Sequence, residues 1–258
     1  MRRVAVLVVV SACGLDLQGP TPVASDAGRP SSTSSSSSSS TSSTGGASTT
    51  NASAPFCSTV RATKCLDFDA PAASPFGFDL LSQSGDWWKA SVAGGAFAID
   101  VSDTRQGQND HGGHGTVHLV DYPAKTTMTL ELDFVVDTIA MEYAVIAGFV
   151  IRGEDCAATL GLAVDATNNL KLVGGARPTD VGTFEPKRRH HLLLESSAPP
   201  NARGVTTLTV DGRALGDVPV TFAPSCDVAD AYVGAFYTSQ RTSETIGLRY
   251  DNVVVRIR

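Results

Sequence analysis

Glu131 and Asp133 stand two residues apart in the run Met128-Thr129-Leu130-Glu131-Leu132-Asp133-Phe134-Val135-Val136, where apolar residues fill every even position. In an extended strand this spacing sends both carboxylates to one face and the apolar row to the other. Glycoside hydrolysis uses paired carboxyl groups, held about 5 to 5.5 Å apart in the retaining mechanism. One strand cannot supply that pair here, because Asp137, on the same face, lies about 13 Å of strand beyond Asp133. The row is therefore expected to be a solvent-facing polar surface opposite the core. A second candidate is Asn109-Asp110-His111-Gly112-Gly113-His114-Gly115-Thr116-Val117-His118, since His and Asp are ligands for transition metals and glycines let a loop bend around an ion. Such ligands need a fixing outer shell, so a surface loop is expected there and no metal is assigned. If Trp88 turns inward with Ala90 and Val92, strand alternation turns Trp87 outward, where an indole can stack on a sugar face. Trp87, His118, Glu131, Asp133 and Arg152 form the ligand-binding set that the sequence nominates. No nucleophile, base and oxyanion arrangement is recognisable among them, so no catalytic residue is assigned.

The elements that must position these residues are strands. The period-two pattern over residues 127–136 predicts a half-buried strand. Leu160-Gly161-Leu162-Ala163-Val164 leads through Asn168-Asn169 into Leu170-Lys171-Leu172, and Thr207-Leu208-Thr209-Val210 leads through Asp211-Gly212 into Arg213-Ala214-Leu215. Both read as hairpins, the second more sharply because Asp-Gly accepts positive φ. A third hairpin pairs Trp88, Ala90 and Val92 with Phe97, Ile99 and Val101 across Gly94-Gly95. Further strands are expected over 65–69, 115–120, 144–151, 190–196 and 232–237. The C-terminal run starts in one phase with Ile246, Leu248 and Tyr250 and ends in the other with Val253, Val255 and Ile257, which predicts a bulge near Asp251-Asn252. No window shows an amphipathic helix and no internal repeat supports a propeller. About a dozen strands with frequent turn signals fit an all-β, two-sheet antiparallel sandwich.

Composition bounds the partners. Residues 56–258 carry 17 Lys and Arg against 24 Asp and Glu, an excess of seven negative charges. Such a chain, whose one basic cluster is Lys187-Arg188-Arg189, is a poor nucleic-acid binder. That cluster reads as a solvated strand edge. Upstream, 18 of the 23 residues over 31–53 are Ser or Thr, with no apolar side chain larger than alanine. A segment with so little to bury is expected to be a disordered tether, holding the domain at a root-mean-square distance of roughly 35 Å. Cys57, Cys65, Cys156 and Cys226 form an even set that suits two disulfides in an exported chain. Four cysteines allow three pairings, and adjacency favours Cys57 with Cys65, which leaves Cys156 with Cys226.

Two resemblances add to this. Met1-Arg2-Arg3, the apolar residues 4–10 and Ser11-Ala12-Cys13 have the layout of a signal peptide, and Val10-Ser11-Ala12-Cys13 resembles the lipobox of bacterial lipoproteins. The resemblance implies cleavage after residue 12, acyl chains such as palmitate on Cys13, and anchoring in a membrane. Gly14, rather than Asp, after the cysteine favours the outer membrane. The domain boundaries are then 1–12 for the signal peptide, 13–55 for the lipidated cysteine and tether, and 56–258 for the folded domain. Within that domain, Cys65-Leu66-Asp67-Phe68-Asp69, Leu130-Glu131-Leu132-Asp133-Phe134 with Ala147-Gly148-Phe149-Val150-Ile151-Arg152, and Leu208-Thr209-Val210-Asp211-Gly212 with Tyr250-Asp251-Asn252-Val253-Val254-Val255 resemble the concanavalin A-like lectin and glucanase superfamily, including laminin G-like domains. This implies a jelly roll whose concave face holds glycan in many members.

Glucanases of that superfamily carry Glu-x-Asp-x-x-Glu, but Val136 stands where Glu131-Leu132-Asp133 would need its third carboxylate. Laminin G-like relatives often hold calcium, and no equivalent ligand set matches here residue by residue, so a structural calcium ion stays open and unassigned and no other cofactor is expected. The leading expectation is a tethered, non-catalytic module recognising carbohydrate, with outer-membrane lipid as the partner of Cys13 and no nucleic acid. A divergent polysaccharide hydrolase or lyase, and a structural envelope protein that binds another protein, are the alternatives.

Overall fold

The computed structural model describes residues 56–69, 75–83, 88–101, 113–119, 127–153, 156–174, 178–197, 203–221, 226–238 and 245–258. The expected signal peptide, lipid-accepting Cys13 and tether, as well as Trp87, lie outside these residues. The described chain begins with a 3-10 turn at Phe56–Ser58, followed by β1 (Lys64–Leu66), β2 (Leu80–Gln83), β3 (Trp88–Ala93), β4 (Ala96–Val101), β5 (Gly113–Leu119), β6 (Thr127–Ile139), β7 (Ala144–Gly153) and β8 (Cys156–Val164). It continues with β9 (Asn169–Val173), β10 (Thr179–Thr183), β11 (His190–Ser197), β12 (Arg203–Val210), β13 (Arg213–Thr221), β14 (Cys226–Thr238) and β15 (Ile246–Ile257). No α-helix occurs among the described residues.

The strands form two antiparallel sheets. The eight-stranded sheet runs β13-β12-β11-β6-β15-β4-β3, with β1 also alongside β15, and the seven-stranded sheet runs β10-β9-β8-β7-β14-β5-β2. Strand β15 serves two neighbours on one edge: its residues 246–250 pair with β4 and its residues 253–255 pair with β1. The change of partner occurs at the expected bulge, where the register with β6 shifts between Asp251 and Val254 and Asn252 takes φ 52°. The predicted hairpins at Gly94-Gly95 and Asp211-Gly212 both form with positive φ at both turn residues, the geometry that matches strand twist. The fold is an antiparallel jelly-roll sandwich.

Alternation explains the packing. Met128, Leu130, Leu132, Phe134 and Val136 of β6 are buried and meet Phe149, Ile151, Leu160, Leu162, Ala231 and Val233 from the other sheet. Each large side chain so buried contributes roughly 1.5 to 3 kcal/mol. Phe97 packs with Phe68, Phe78 and Tyr250 at ring-centroid distances of 5.7, 4.8 and 6.4 Å. The Tyr250 hydroxyl donates to Ile146 O of the opposite sheet at 2.9 Å, which satisfies a polar group that the core would otherwise strand. Trp88 is buried, as its alternation with Lys89 requires.

Several details differ from the sequence reading. His114, expected on a surface loop, belongs to β5, which begins at Gly113 rather than at the expected residue 115 and also carries His118. Lys187-Arg188-Arg189 forms a turn ahead of β11 rather than a strand edge, and Lys187 adopts φ 64° while its N–H donates to Val136 O at 2.9 Å. Strands β2 and β10 were not expected at all, since neither Leu80-Leu81-Ser82-Gln83 nor Thr179-Asp180-Val181-Gly182-Thr183 has period-two alternation. Cys57 and Cys65 are bonded to each other, which tethers the 3-10 turn to β1 and is worth about 2.5 kcal/mol for so short a loop. Cys226 is disulfide-bonded too.

The β8–β9 turn is fixed by Asp165, which accepts from Thr167 N and Asn169 N, both at 2.9 Å, and lies 3.0 Å from Lys171 Nζ. Burial would raise the pKa of this carboxyl, but the bonds from Asn169, Thr167 and Lys171 outweigh it and hold it down to about 2, against an ordinary 3.8. A depressed folded value means that its stabilisation is complete above pH 4 and is lost as the pH falls through 2. Asp165→Asn should therefore cost about 2 kcal/mol at pH 7, and in urea titrations its deficit relative to the wild type should shrink between pH 4 and pH 2. A deficit independent of pH in that window would rule out this ionic origin.

Candidate functional site

The face of the seven-stranded sheet that points away from the core carries a set of polar side chains. On β5 the inward row is Val117 and Leu119, so His114, Thr116 and His118 face outward. On β14 the inward row is Ala229, Ala231 and Val233, so Asp230 and Tyr232 face outward. Ladder register places Asp230 opposite both His118 and Val150, and Tyr232 opposite both Thr116 and Gly148. Arg152 lies on the same face of β7.

These positions converge on Asp230. Its side chain is only 5% exposed, whereas those of His118 and Arg152 are 49% and 55% exposed. His118 Nδ1 lies 2.5 Å from Asp230 Oδ1, and Arg152 Nη2 donates to Asp230 Oδ2. A buried carboxylate thus fixes two half-exposed groups from the strands on either side of it. With Nδ1 turned to the carboxylate, the His118 ring has Nε2 as its other nitrogen, and the guanidinium keeps further N–H donors beyond the one used. The trio can bind an acceptor-rich ligand, and an imidazole oriented by a carboxylate is also the arrangement of a general base.

Beside the trio the sheet makes room for a buried tyrosine. Gly148 of β7 and Gly161 of β8 face each other in register, and the Tyr232 hydroxyl rests over both. A Cβ on Gly148 would lie 2.7 Å from that oxygen and 2.1 Å from Leu160 O, and one on Gly161 would lie 2.8 Å from the same oxygen. Tyr232 is 1% exposed and packs with Val145 and Ala163, with Tyr143, Val150 and Val173 around them. Burial pushes its phenol well above the ordinary range, so the hydroxyl keeps its proton at neutral pH. His114 meets the Tyr232 ring edge-on at 6.1 Å. Burial pushes the His114 imidazole down to about 4 against a smaller opposing effect of Asp230, so the ring is neutral at pH 7. His118 is consequently the accessible imidazole of this face.

The nominated residues are thereby divided between the two outer surfaces. His118 and Arg152 meet at Asp230 on the seven-stranded sheet. Glu131 and Asp133 lie on the outer face of the eight-stranded sheet, on the far side of the sandwich. There Arg256 Nη1 contacts Glu131 Oε2 at 2.6 Å, His191 Nδ1 contacts Asp133 Oδ1 at 2.9 Å, and Asn252 Nδ2 donates to Asp133 Oδ2 at 2.8 Å. Both carboxylates are held in a hydrogen-bonded network with their strand neighbours. Asp230 was not singled out from the sequence, and neither were Tyr232 and its paired glycines. Glycines at interior positions of two neighbouring strands are a signal of close approach that could have pointed to them. Among the described residues no group of three His, Cys, Asp or Glu side chains could hold a metal ion.

No family model matches this chain, and no curated protein matches its sequence. Solved structures do share its fold. An endo-β-1,4-glucuronan lyase from the fungus Trichoderma reesei superposes with a TM-score of 0.57 at 15% identity, covering 77% of this chain and 96% of that one. The alginate lyase Aly36B superposes with a TM-score of 0.55 at 10% identity, covering 75% and 96%. A mutant of that lyase in complex with alginate tetrasaccharide gives 0.54 at 12% identity, covering 75% and 96%. At these identities the likeness is one of fold, that of two-sheet β-sandwich enzymes.

The paired glycines are the most sensitive feature of the face. Gly148→Ala should destabilise the chain by about 3 kcal/mol or more, because the added methyl overlaps a backbone carbonyl as well as the phenol. Chemical denaturation checks this, and a loss under about 0.5 kcal/mol, the size of an ordinary surface change, would contradict the packing described.

Proposed function

We propose that this chain is a surface-tethered carbohydrate-recognition module that binds glycan on the outer face of the seven-stranded sheet. The observation that carries the reading is the pair of half-exposed groups, Arg152 and His118, held by the buried Asp230. Preformed donors on a rigid sheet lose little entropy on binding, and a guanidinium suits a planar carboxylate better than an ammonium does. That chemistry favours acidic sugars such as uronates. The fold neighbours named for glucuronan and alginate support the same class, and the concanavalin A-like resemblance supports glycan binding in general.

A second reading is a divergent polysaccharide lyase, favoured by the imidazole of His118 oriented on Asp230. In it, Arg152 would neutralise the uronate carboxylate while His118 took the proton at C5, the C4–O bond breaking as the C4=C5 double bond forms and the departing oxygen taking a proton from water. The non-catalytic reading is preferred because elimination also needs an acid for the leaving oxygen, and Tyr232, the phenol placed on this face, is 1% exposed.

Binding of the full chain to immobilised alginate, glucuronan and neutral glucan distinguishes these. Retention on the acidic polymers should fall at least tenfold in Arg152→Gln and should also weaken in Asp230→Asn, which releases both partners. Retention unchanged in Arg152→Gln would overturn the site. Release of unsaturated oligosaccharides by the wild type, abolished in His118→Gln, would replace recognition with lysis.

The proposed anchor is Cys13, with the Ser/Thr-rich tether giving the domain reach from an outer membrane. Cys13→Ser should move the protein from the membrane fraction to the soluble fraction, and unchanged membrane retention would remove the lipid assignment.

A further inference from the structure

We infer that the opposite outer face carries a second ligand site, a cleft that binds a phosphate or sulfate oxyanion, free or esterified to a saccharide. The cleft has a volume of about 300 Å³ and lies over β6 and β15, between the Gly94-Gly95 turn and the turn that holds Lys187 and Arg189. That volume is at the lower end of small-molecule sites.

Its chemistry is a surplus of donors. Lys187, Arg189 and Arg249 line the cleft with Asp133 and Asp251. The acceptors are occupied: Asp133 accepts from Asn252 and contacts His191, and Asp251 accepts from its neighbour Asn252 N at 2.8 Å and from Arg189 Nη2. The donors are not. Arg189 Nη2 donates to Asp251 and lies 3.3 Å from Asp133 Oδ2, and among the described residues no hydrogen bond uses its Nε or Nη1. Arg249 uses Nε and Nη2 on Asp137, at 2.6 and 2.7 Å, which leaves Nη1. Among the described residues the Lys187 ammonium has no ion-pair partner. The Lys187 charge, unmatched among the described residues, and the remaining N–H groups of the two ion-paired guanidiniums are complementary to a compact oxyanion.

Lys187, which lines the cleft, holds φ 64°, a conformation that is costly for a lysine. The bulge at Asp251-Asn252 re-aims side chains locally. The cleft and the Asp230 trio are on different sheets, so this inference does not depend on the proposed glycan site.

Calorimetric titration of the full chain at constant ionic strength, with inorganic phosphate, sulfate, glucose 6-phosphate and glucose 6-sulfate, tests it. Saturable binding of the inorganic ions is expected, at least tenfold weaker in Lys187→Gln, tighter in Asp251→Asn, and unchanged in Arg213→Gln, at an exposed position of β13 outside the cleft. Tighter binding of the sugar esters than of the free ions would identify an esterified saccharide as the source, and equal binding would identify the free ion. Absence of saturable binding by any of the four, or equal affinity in the wild type and in a folded Lys187→Gln, would overturn the site.

Discussion

Everything on the two outer faces depends on one constraint, the burial of every second side chain along β6, β15, β7 and β14 in a shared apolar interior. Because strand side chains alternate, the same register that drives Leu132 and Phe134 inward fixes Asp133 outward, and the register that buries Ala231 and Val233 fixes Asp230 and Tyr232 outward. A slip by one residue would exchange the faces of a whole strand. The hydrophobic core therefore determines where the charged groups stand, without contacting a ligand itself.

The two faces use their charges differently. On the eight-stranded sheet, Glu131, Asp133 and Asp251 are each matched by Arg256, His191 or Arg189 from a neighbouring strand or turn. Such cross-strand pairing is a common way to stabilise an exposed sheet, and partly exposed pairs of this kind are worth little each. On the seven-stranded sheet a single buried carboxylate organises two exposed groups, beside glycines whose missing side chains leave room for the buried Tyr232. A buried charge is tolerated only when it is paired, so Asp230 requires its partners as much as it positions them. That mutual dependence makes His118 and Arg152 a preformed pair.

Much of the fold was legible in the sequence because it follows from local pattern. The even-numbered apolar row of β6, the Gly94-Gly95 and Asp211-Gly212 turns, the inward Trp88 and the phase change at Asp251-Asn252 each depend on residues adjacent in the chain. The edge strands β2 and β10 were not legible, because neither Leu80-Leu81-Ser82-Gln83 nor Thr179-Asp180-Val181-Gly182-Thr183 alternates. The site was half legible. His118 and Arg152 could be nominated by type, but Asp230 is separated from them by 112 and 78 residues, and only the β5-β14-β7 register brings the three together. Glu131 and Asp133 were nominated beside them because one outer face cannot be told from the other by periodicity. Lys187 and Arg189 read as a solvated edge for the same reason, since their relation to Arg249 is set by strand order.

Hydrogen–deuterium exchange on the full chain, with and without an alginate oligosaccharide, tests the central assignment most directly. Ligand should slow exchange in β5, β7 and β14 around His118, Arg152 and Asp230 while leaving β6 and β11 unchanged. Slowing confined to β6, β11 and β15, or none in either sheet at saturating oligosaccharide, would contradict it.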